Sequence, residues 1–411
     1  MIKKRILIVE AEGGERQRLA GLFLGSKEEW DVTFVDNYTE ALALTSQVTI
    51  DAVLSDMPQL AVEVSSYLSE MAQWPRRVPQ FFRADFKDKE LLTKLFGPVP
   101  QFIDRTWDAA RMELAIRRAF WRDMRLLNKS LQDLVSQMRE LPSVSSLYCE
   151  VLHQLQSADP NIEQLGLLVS RDLAMSAKVL QIVNSAYFGL SRQISSAAEA
   201  VLYLGIQSLK ALLLFTEFAS HYEASRCPLF SLQELWHHSM ATAALARQIA
   251  LAEKNGAAMA EEAFTGGLLH DIGKLMLAAN MPDLCNQTLA VANRNSIPLW
   301  EAELATFGTS HAELGACLLC SWELPLAILD AIVWHHAPVH SGSGTFSPIV
   351  CVHVANALDH ENHVLSPKTP QALIDLDYLR AIGLEDRCDG WREMCRPLKS
   401  AQVMAARSGT P

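Results

Sequence analysis

Short apolar runs alternate with helix-like patterns along the N-terminal part of the chain. The runs are Ile6–Val9, Val32–Val35, Ala52–Leu54, Pro79–Phe82 and Pro100–Ile103. Buried parallel strands have this continuous apolar character and are separated by helices. The pattern therefore predicts an α/β doubly wound domain with a five-stranded parallel sheet over residues 1–106. Functional residues of such domains collect at the carboxyl ends of the strands.

Residues 107–140 read as one long helix, because the segment has no internal Gly or Pro and carries an approximate apolar stripe. One interpretation is a connecting helix that continues the last helix of the first domain. The other is a dimerising helix that transmits a signal between two chains. The stripe is too irregular for a coiled coil, so the pattern favours a connector.

The chain from Leu141 to Pro338 reads as helix throughout, which predicts an all-α domain over residues 141–338. Ser231 is of the residue type that caps the start of a helix. A polar loop, HSGSGTFSP, follows the domain. Residues 339–411 are expected to form a C-terminal extension that packs on the helical domain or follows it.

Composition narrows the function classes. The net charge of −11 argues against binding to nucleic acid or to an anionic membrane. The longest apolar stretch, Ala200–Phe215, is interrupted by Gln207 and Lys210, and the N-terminus does not resemble a signal peptide. We therefore expect a cytoplasmic protein. Cys317 and Cys320 form a CxxC without a second pair, which favours packing over zinc binding.

Histidines concentrate in the second half of the chain, where ten of the twelve follow His221. They lie beside apolar helical segments: LWHHSM, LLHD, TSHAELG, IVWHHAP and CVHVAN. A single histidine on an apolar helix face is usually a packing residue. Several neutral imidazoles brought together with a carboxylate would instead bind a divalent transition metal, which can activate water for phosphoester hydrolysis.

The stretch GLLHDIGKLML at Gly267–Leu277 resembles the signature of the HD superfamily of metal-dependent phosphohydrolases. The ligand order in that superfamily is His, then His–Asp, then a distant Asp. The resemblance implies the metal ligands His238, His270 and Asp271 and a phosphate-facing Lys274, with Asp271 and Lys274 as the catalytic residues if the protein is active.

Three further histidines look like the additional metal positions of the HD-GYP branch: His311, His335 and His336. The Gly-Tyr-Pro signature of that branch is missing, since the chain reads APVHSGSG after His336. Asn356 stands in VANAL, where the superfamily pattern places the distant carboxylate. A neutral amide oxygen there implies weaker metal binding.

The segment before this motif resembles the HDOD domain, the HD-related output domain. The resemblance rests on DPNIEQLGLLVSRDLAMSAKVLQIVNSAYFG at Asp159–Gly189 and on AVLYLGIQSLKALLL at Ala200–Leu214. HDOD proteins are regulatory, and catalysis is generally not established for them. The resemblance therefore implies a signalling role and argues against an enzyme.

The first domain is similar to a two-component receiver, which holds Mg²⁺ beside a phosphorylatable Asp. The corresponding positions are Glu10 and Glu12 after the first strand, Asp56 at the end of the third, and Arg105 where a lysine is usual. The usual Ser/Thr position falls near Arg83–Ala84. Ala11 stands where a direct Mg²⁺ ligand is expected and cannot coordinate, so we expect Mg²⁺ binding and phosphorylation of Asp56 to be weak or absent. Asp56 could equally be a solvated acid at a strand end.

Together these features predict a cytoplasmic signal-transduction protein in which a degenerate receiver is coupled to a non-catalytic HDOD domain that acts through protein contacts. A bound divalent metal of unknown identity and a homodimer formed through the connecting helix are compatible with this function. The alternative is a metal-dependent phosphohydrolase or cyclic-nucleotide phosphodiesterase. A scaffold without metal is the third possibility.

Overall fold

The structure of the protein is a computed structural model that divides into two compact units, Met1–Leu127 and Asn128–Pro411. It describes residues 4–10, 13–23, 30–45, 47–56, 80–84, 101–104, 112, 116–117, 121, 128–138, 150, 162–171, 173–184, 192–220, 222, 226–254, 256–320, 324–362 and 373–394.

The first unit is built on a parallel sheet, as the apolar runs predict. Its elements are β1 (Lys4–Val9), α1 (Gly13–Phe23), β2 (Trp30–Val35), α2 (Tyr38–Thr45), β3 (Ala52–Asp56), β4 (Gln80–Ala84) and β5 (Gln101–Asp104). The strand order is β2-β1-β3-β4-β5, and every pairing is parallel. This is the order of flavodoxin-like doubly wound sheets.

Both faces of the sheet are covered, because alternate residues of a strand point to opposite sides. Ile6 and Ile8 of β1 lie in one core cluster with Leu19 of α1, and Met112 and Ile116 belong to the same cluster. Leu7 and Val9 lie in a second cluster together with Val35, Ala41, Ile50 and Val53. The continuous apolar runs therefore reflect burial of the strands on two sides.

The second unit is helical wherever the structure describes regular elements in it. Its helices are α3 (Lys129–Gln137), α4 (Ile162–Ser170), α5 (Leu173–Val183), α6 (Ala197–Leu204), α7 (Ile206–Ser220), α8 (Leu232–Ala252), α9 (Gly256–Leu269), α10 (Ile272–Asn280), α11 (Pro282–Asn295), α12 (Leu299–Phe307), α13 (His311–Leu319), α14 (Leu326–Trp334), α15 (Pro348–Asn362) and α16 (Leu376–Ala381). Short 3₁₀ turns occur at Pro338–Ser341 and Glu385–Arg387. No single described helix is long and apolar enough to cross a membrane, although the bent pair α6–α7 passes that test on length and composition.

The predicted single helix over residues 107–140 is wrong at Asn128. Asn128 has extended backbone angles (φ −69°, ψ 107°), and its side-chain oxygen accepts hydrogen bonds from the N–H groups of Ser130 and Leu131. It therefore caps a new helix, α3, as asparagine commonly does. The Asn128 side-chain amide also donates to the Gly308 carbonyl (3.2 Å). Residues from Asn128 onward thus belong to the helical unit and do not continue a helix of the first unit.

The C-terminal extension is part of the helical core. Ile374, Tyr378, Leu379 and Trp391 are buried in one cluster with residues of α8, α9 and α15. The Trp391 indole N–H donates to Glu253 at the end of α8 (3.0 Å). The described residues of the extension therefore pack on the helical domain.

Candidate metal centre

The six residues predicted as histidine and aspartate ligands converge from four places in the helical unit. His238 lies on α8, His270 and Asp271 between α9 and α10, His311 at the start of α13, and His335–His336 directly after α14. Two groups share Asp271. The first group is His238, His270 and Asp271; the second group is Asp271, His311, His335 and His336. Within each group the ligand atoms lie within 4.8 Å of one another.

A turn between two helices explains how adjacent His270 and Asp271 face the same centre. In an uninterrupted helix their side chains would point about 100° apart. Here α9 ends at Leu269, and Asp271 has φ −101° and ψ 8° before α10 begins. Both side chains are buried in this turn, His270 being 0% and Asp271 1% exposed.

Glycines in and near the motif allow the helices to approach. A Cβ at Gly273 would lie 1.9 Å from the backbone carbonyl oxygen of His311, a distance that no side chain can occupy. A Cβ at Gly315 would lie 3.0 Å from the Gly273 nitrogen. Helices α10 and α13 therefore cross at these two glycines, and the crossing brings His311 to Asp271.

Four of the histidines have their protonation pattern fixed by acceptors at Nδ1. His238 contacts the Asp359 carboxylate and His311 the Glu303 carboxylate, at 2.7 and 2.6 Å. His270 and His335 contact the carbonyls of Gly267 and Ile332, both at 2.7 Å. Because carbonyl and ionised carboxylate oxygens only accept, each Nδ1 must carry the hydrogen.

In a neutral imidazole the other nitrogen then carries a lone pair. The Nε2 atoms of His238 and His270 face each other at 3.1 Å. His336 Nε2 likewise lies 3.1 Å from His311 Nε2. Two lone pairs at this distance repel unless a cation, either a proton or a metal ion, lies between or beside them. The carboxylate and carbonyl acceptors at Nδ1 thus orient each of the four rings. Histidine ligands in metal sites are oriented in the same way, through the nitrogen that does not bind the metal.

In the first group, protein side chains already balance the charge of the carboxylate oxygen. The Lys274 ammonium lies 2.6 Å from Asp271 Oδ2, the oxygen that faces His238 (3.6 Å) and His270 (3.4 Å). Asn356 Oδ1 lies 3.0 Å from His238 Nε2, so a neutral amide occupies the position of the expected distant carboxylate. The first group therefore has one carboxylate oxygen, and that oxygen is already paired with a cation.

In the second group, no lysine among the described residues balances the charge of the carboxylate oxygen in this way. Asp271 Oδ1 lies 3.1 Å from His311 Nε2 and 3.7 Å from His335 Nε2. Asp271 Oδ1 and His335 Nε2 are nevertheless both fully buried atoms without a hydrogen-bond partner. Buried polar atoms without partners are costly. A cation bound in the second group would satisfy both atoms at once.

Local electrostatics keep most of these groups, but not His311, in the protonation states that a metal requires. Burial lowers the pKa of His270, and it lowers the pKa of His335 and His336 well below the ordinary value, so these rings are neutral. Burial alone would raise the pKa of Asp271, but the neighbouring His270 and Lys274 hold it well below its usual range. Because His270 is neutral, the positive charge that lowers the pKa of Asp271 comes from Lys274. Burial would lower the pKa of His311, but the neighbouring Glu303 and Asp271 outweigh burial and raise this pKa above its ordinary value.

The donor set of the second group fits a divalent transition metal. Three imidazole nitrogens and one carboxylate suit zinc, iron and related ions better than Mg²⁺ or Ca²⁺, which prefer oxygen. Ligand atoms held about 2.1 Å from one ion lie at most about 4.2 Å apart. Because the ligand atoms lie within 4.8 Å of one another, only small shifts would close them on an ion.

A cavity of about 230 Å³ opens beside both groups. Its polar side is formed by His238, Asp271, Lys274, His311, His336 and His360. Apolar side chains also line the cavity: Leu229, Phe230, Leu235, Leu289, Leu299 and Trp300. The Trp300 ring stacks on His336, with centroids 5.7 Å apart and planes 19° apart. A ligand in this cavity would contact both the candidate metal ligands and the Trp300 ring.

Several residues of the centre were not predicted from the sequence. Asp359 and Glu303 hold the outer nitrogens of His238 and His311. The His360 ring contacts the His238 ring at a tilt of 45°, with centroids 4.5 Å apart, and burial lowers the pKa of His360 to about 3. Asp359 lies three residues after Asn356 in the same helix, and this spacing was the one available signal. Cys317 and Cys320 are buried thiols that belong to neither group found among the described residues.

The predicted receiver residues of the first unit are only partly described. Glu10 follows β1, and Asp56 is the last residue of β3, in register with Arg83 of β4. Arg83 is buried and contacts the carboxylate of Glu15 on α1. Glu12 and Arg105 lie outside the described residues.

Comparison with known proteins identifies the helical unit. Residues 141–338 match the family described as "HDOD domain". The chain carries an HDOD domain. An HDOD protein of unknown function from Geobacter sulfurreducens is 24% identical, covers 67% of this chain and 94% of its own, and superposes with a TM-score of 0.53, which supports the HDOD fold.

Two curated relatives have no described function. An uncharacterized protein of Treponema pallidum (strain Nichols) is 25% identical over 213 residues, covering 52% of this chain and 41% of the relative. The uncharacterized protein YuxH of Bacillus subtilis (strain 168) is 32% identical over 71 residues, or 17% of each chain. The chain thus spans less than half the length of the curated relatives it matches. Asn356, Asp359 and His360 lie beyond the HDOD match, so the centre is built from the HDOD domain together with the C-terminal extension.

Proposed function

We propose that the helical unit binds one divalent transition metal in the second group and acts as a metal-dependent binding module of a signalling protein. The observation that carries this proposal is the pair of buried atoms without partners, Asp271 Oδ1 and His335 Nε2, beside the neutral imidazoles of His335 and His336 and the imidazole of His311. A metal would neutralise the carboxylate oxygen and engage the lone pairs together.

The first group is proposed to bind metal more weakly. Lys274 already pairs with Asp271 Oδ2, and a metal on that oxygen would lie close to the ammonium. Asn356 offers a neutral oxygen where a carboxylate would add attraction. Metal at the second group alone would leave the site without the paired ions that two-metal phosphoester hydrolysis uses.

The cavity beside the centre gives this module its ligand-binding capacity. When bound, the metal would supply a Lewis acid that attracts an anionic group. The Lys274 ammonium lines the same cavity and favours the same charge, while the apolar wall would hold the rest of the ligand. A ligand bound there would act on the contacts of this unit with protein partners. The unit would then transmit a signal and would not catalyse a reaction.

The second candidate function is metal-dependent phosphoester hydrolysis. It is favoured by the position of Lys274 and of both groups at one cavity large enough for a small substrate. Hydrolysis would require the first group to bind metal despite Asn356 and the Lys274 ion pair. For that reason we place hydrolysis second.

For the first unit we propose a degenerate receiver that works by contact with a protein partner in the cytoplasm. Ala11 provides no Mg²⁺ ligand. Arg83, which lies in register with Asp56, forms an ion pair with Glu15. Both features support signalling without phosphorylation of Asp56. Mg²⁺-dependent labelling of Asp56 by a small acyl-phosphate donor, lost in Asp56→Asn, would contradict this part.

Metal analysis of the purified full chain with a matched pair of variants tests the main proposal. His336→Gln removes a ligand of the second group, whereas His360→Gln changes another cavity histidine that belongs to neither group. We expect about one metal per chain in the unmodified protein and in His360→Gln, and a loss of metal in His336→Gln. Equal retention in both variants, or a metal-free unmodified protein after growth with zinc, manganese and iron, would contradict the proposal. Turnover of a phosphoester panel that depends on metal would establish the second candidate instead.

A further inference from the structure

His353 is a buried histidine of α15 that belongs to neither metal-binding group. It is 2% exposed and lies beyond the residues that match the HDOD domain. Its two ring nitrogens are both engaged, and both partners are backbone groups. One partner is a metal-binding residue of the second group, and the other lies in the C-terminal extension.

The Nδ1 atom of His353 donates to the carbonyl oxygen of His335, at 2.7 Å. The Nε2 atom accepts from the backbone N–H of Asp375, at 2.8 Å. A carbonyl can only accept and a backbone N–H can only donate, so the pair of contacts fixes a single neutral tautomer. Burial lowers the pKa of His353, which is consistent with that tautomer.

Each end of this bridge is attached to a rigid part of the fold. His335 is held at its own Nδ1 by Ile332, and His336 follows it directly, so the His335 carbonyl is part of the peptide that joins the two histidines. Asp375 caps α16, because its side chain accepts from the Tyr378 N–H at 2.9 Å. Tyr378 and Leu379 anchor α16 in the core.

We propose that His353 is a positioning residue that fixes the backbone of His335 and His336 against the start of α16, so that metal binding in the second group depends on the C-terminal extension; this assignment rests on the proposed metal site. His353 does not contact the ion. It acts through the peptide between two ligands, and peptide orientation determines where both imidazoles point. Groups that orient metal ligands in this way typically change metal affinity by about 10–100-fold when removed.

Substitutions at His353 can separate the two contacts. His353→Leu keeps a buried side chain of similar size and removes both hydrogen bonds. His353→Asn places an amide N–H near the position of Nδ1 and can keep the bond to His335 while losing the bond to Asp375. Cys351→Ala is the matched control, because Cys351 is buried on the same helix but packs in the apolar core.

Asp375 offers a test from the other end of the bridge. Its φ of −74° suits proline, so Asp375→Pro removes the N–H without forcing the backbone to change. Asp375→Ala keeps the N–H, and both variants lose the side-chain cap. The difference between them isolates the hydrogen bond to His353.

The readouts are metal affinity of the full chain, by competition with a chelator, and hydrogen–deuterium exchange of residues 330–341 in chelator-treated protein. We expect about 10–100-fold weaker metal binding in His353→Leu and Asp375→Pro, near-normal binding in Cys351→Ala and Asp375→Ala, and partial rescue in His353→Asn. We also expect faster exchange of residues 330–341 in His353→Leu than in Cys351→Ala, with or without metal.

Failure of this inference and failure of the proposed function give different results. Normal metal affinity and normal exchange in His353→Leu would overturn the positioning role and leave the metal site intact. An unmodified protein without metal would overturn the proposed function, and the exchange comparison would still decide whether His353 holds the His335–His336 segment. Equal loss of metal in His353→Leu and Cys351→Ala would show general destabilisation and would also overturn the positioning role.

Discussion

The two units of this protein each hold a carboxylate near a cation, but they differ in how completely the protein itself balances the charge. In the first unit Glu15 contacts Arg18 and the buried Arg83. In the helical unit Lys274 pairs with one oxygen of Asp271, and the other oxygen is buried without a hydrogen-bond partner. A carboxylate whose charge is balanced within the protein needs no ligand, whereas a buried oxygen that lacks a partner creates a binding site for a cation.

The comparison predicts that metal binding depends on the carboxylate charge of Asp271. Asp271→Asn keeps the size of the side chain and removes the charge shared by both groups. We expect metal content to fall from about one per chain to nearly zero, an effect larger than that of any single histidine substitution. Metal analysis of the purified variant checks this. Retention of tightly bound metal would mean that the imidazoles alone form the site.

The close crossing of α10 and α13 gives the next largest effect. Gly273→Ala would place a Cβ 1.9 Å from the His311 carbonyl oxygen, and backbone on both sides prevents an easy shift. We expect a loss of about 3 kcal/mol or more in the free energy of unfolding, since strong overpacking costs this much.

Gly266→Ala is the matched control within the same helical region. A Cβ there would meet only the side chains of Val352 and Ala331, at 3.2 and 3.3 Å, and alanine is the better helix former. We expect its unfolding free energy to change by no more than about 1 kcal/mol. Urea unfolding of both variants distinguishes them, and equal stability would show that the two helices can separate freely.

Much of the geometry of the candidate metal centre could be predicted from the sequence, because the HDIGK motif and the later histidines match patterns with known ligand order. His238, His270, Asp271, His311, His335 and His336 all lie where that resemblance expects them to meet. Glu303 and His353 could not be predicted, because their partners lie 8 and 18 residues away and no local pattern encodes those contacts. Asp359 contacts a residue 121 positions away, and its spacing from Asn356 was the one available signal.

The break at Asn128 was predictable in principle. Asparagine is one of the strongest helix-capping residues, and the segment after it has its own apolar positions at Leu131 and Leu134. The absence of Gly and Pro led to the prediction of one helix, but a polar cap can begin a new helix without either residue. The relation of α3 to Gly308 depends on a tertiary contact, and the sequence alone does not indicate it.

Asn356→Asp sharpens the comparison by adding a charge to the first group. The new carboxylate would lie near His238 Nε2, where the amide oxygen is now 3.0 Å away. We expect a second metal to bind per chain at raised metal concentration, because a carboxylate attracts a divalent ion far more strongly than an amide does. Asn356→Leu is the control and should bind no more than the unmodified protein. Metal titration checks both, and an unchanged stoichiometry in Asn356→Asp would show that Lys274 alone blocks the first group.

The smallest expected effect concerns the balanced pair of the first unit. Hydrogen bonding to Arg18, opposed by partial burial and reinforced by Arg83, lowers the pKa of Glu15 from 4.5 to about 2. Since the pKa is lower in the folded state, the stabilisation is fully present above about pH 4.5 and is lost as the pH falls towards 2. Its size should be on the order of 1 kcal/mol, because Glu15 is partly exposed and solvent screens the pair.

Glu15→Gln should therefore remove this pH dependence, lowering stability at pH 6 and having little effect near pH 2 to 3. Asp36→Asn is the control, since Asp36 forms an exposed pair with Arg16 and should change stability much less. Hydrogen–deuterium exchange of the β1 and β4 peptides in the full chain, measured across this pH range with correction for intrinsic rates, checks both variants. A Glu15→Gln protein with the same pH profile as the unmodified chain would show that Arg83 does not depend on Glu15 for its charge balance. The contrast with Asp271 would then have to rest on the metal centre alone.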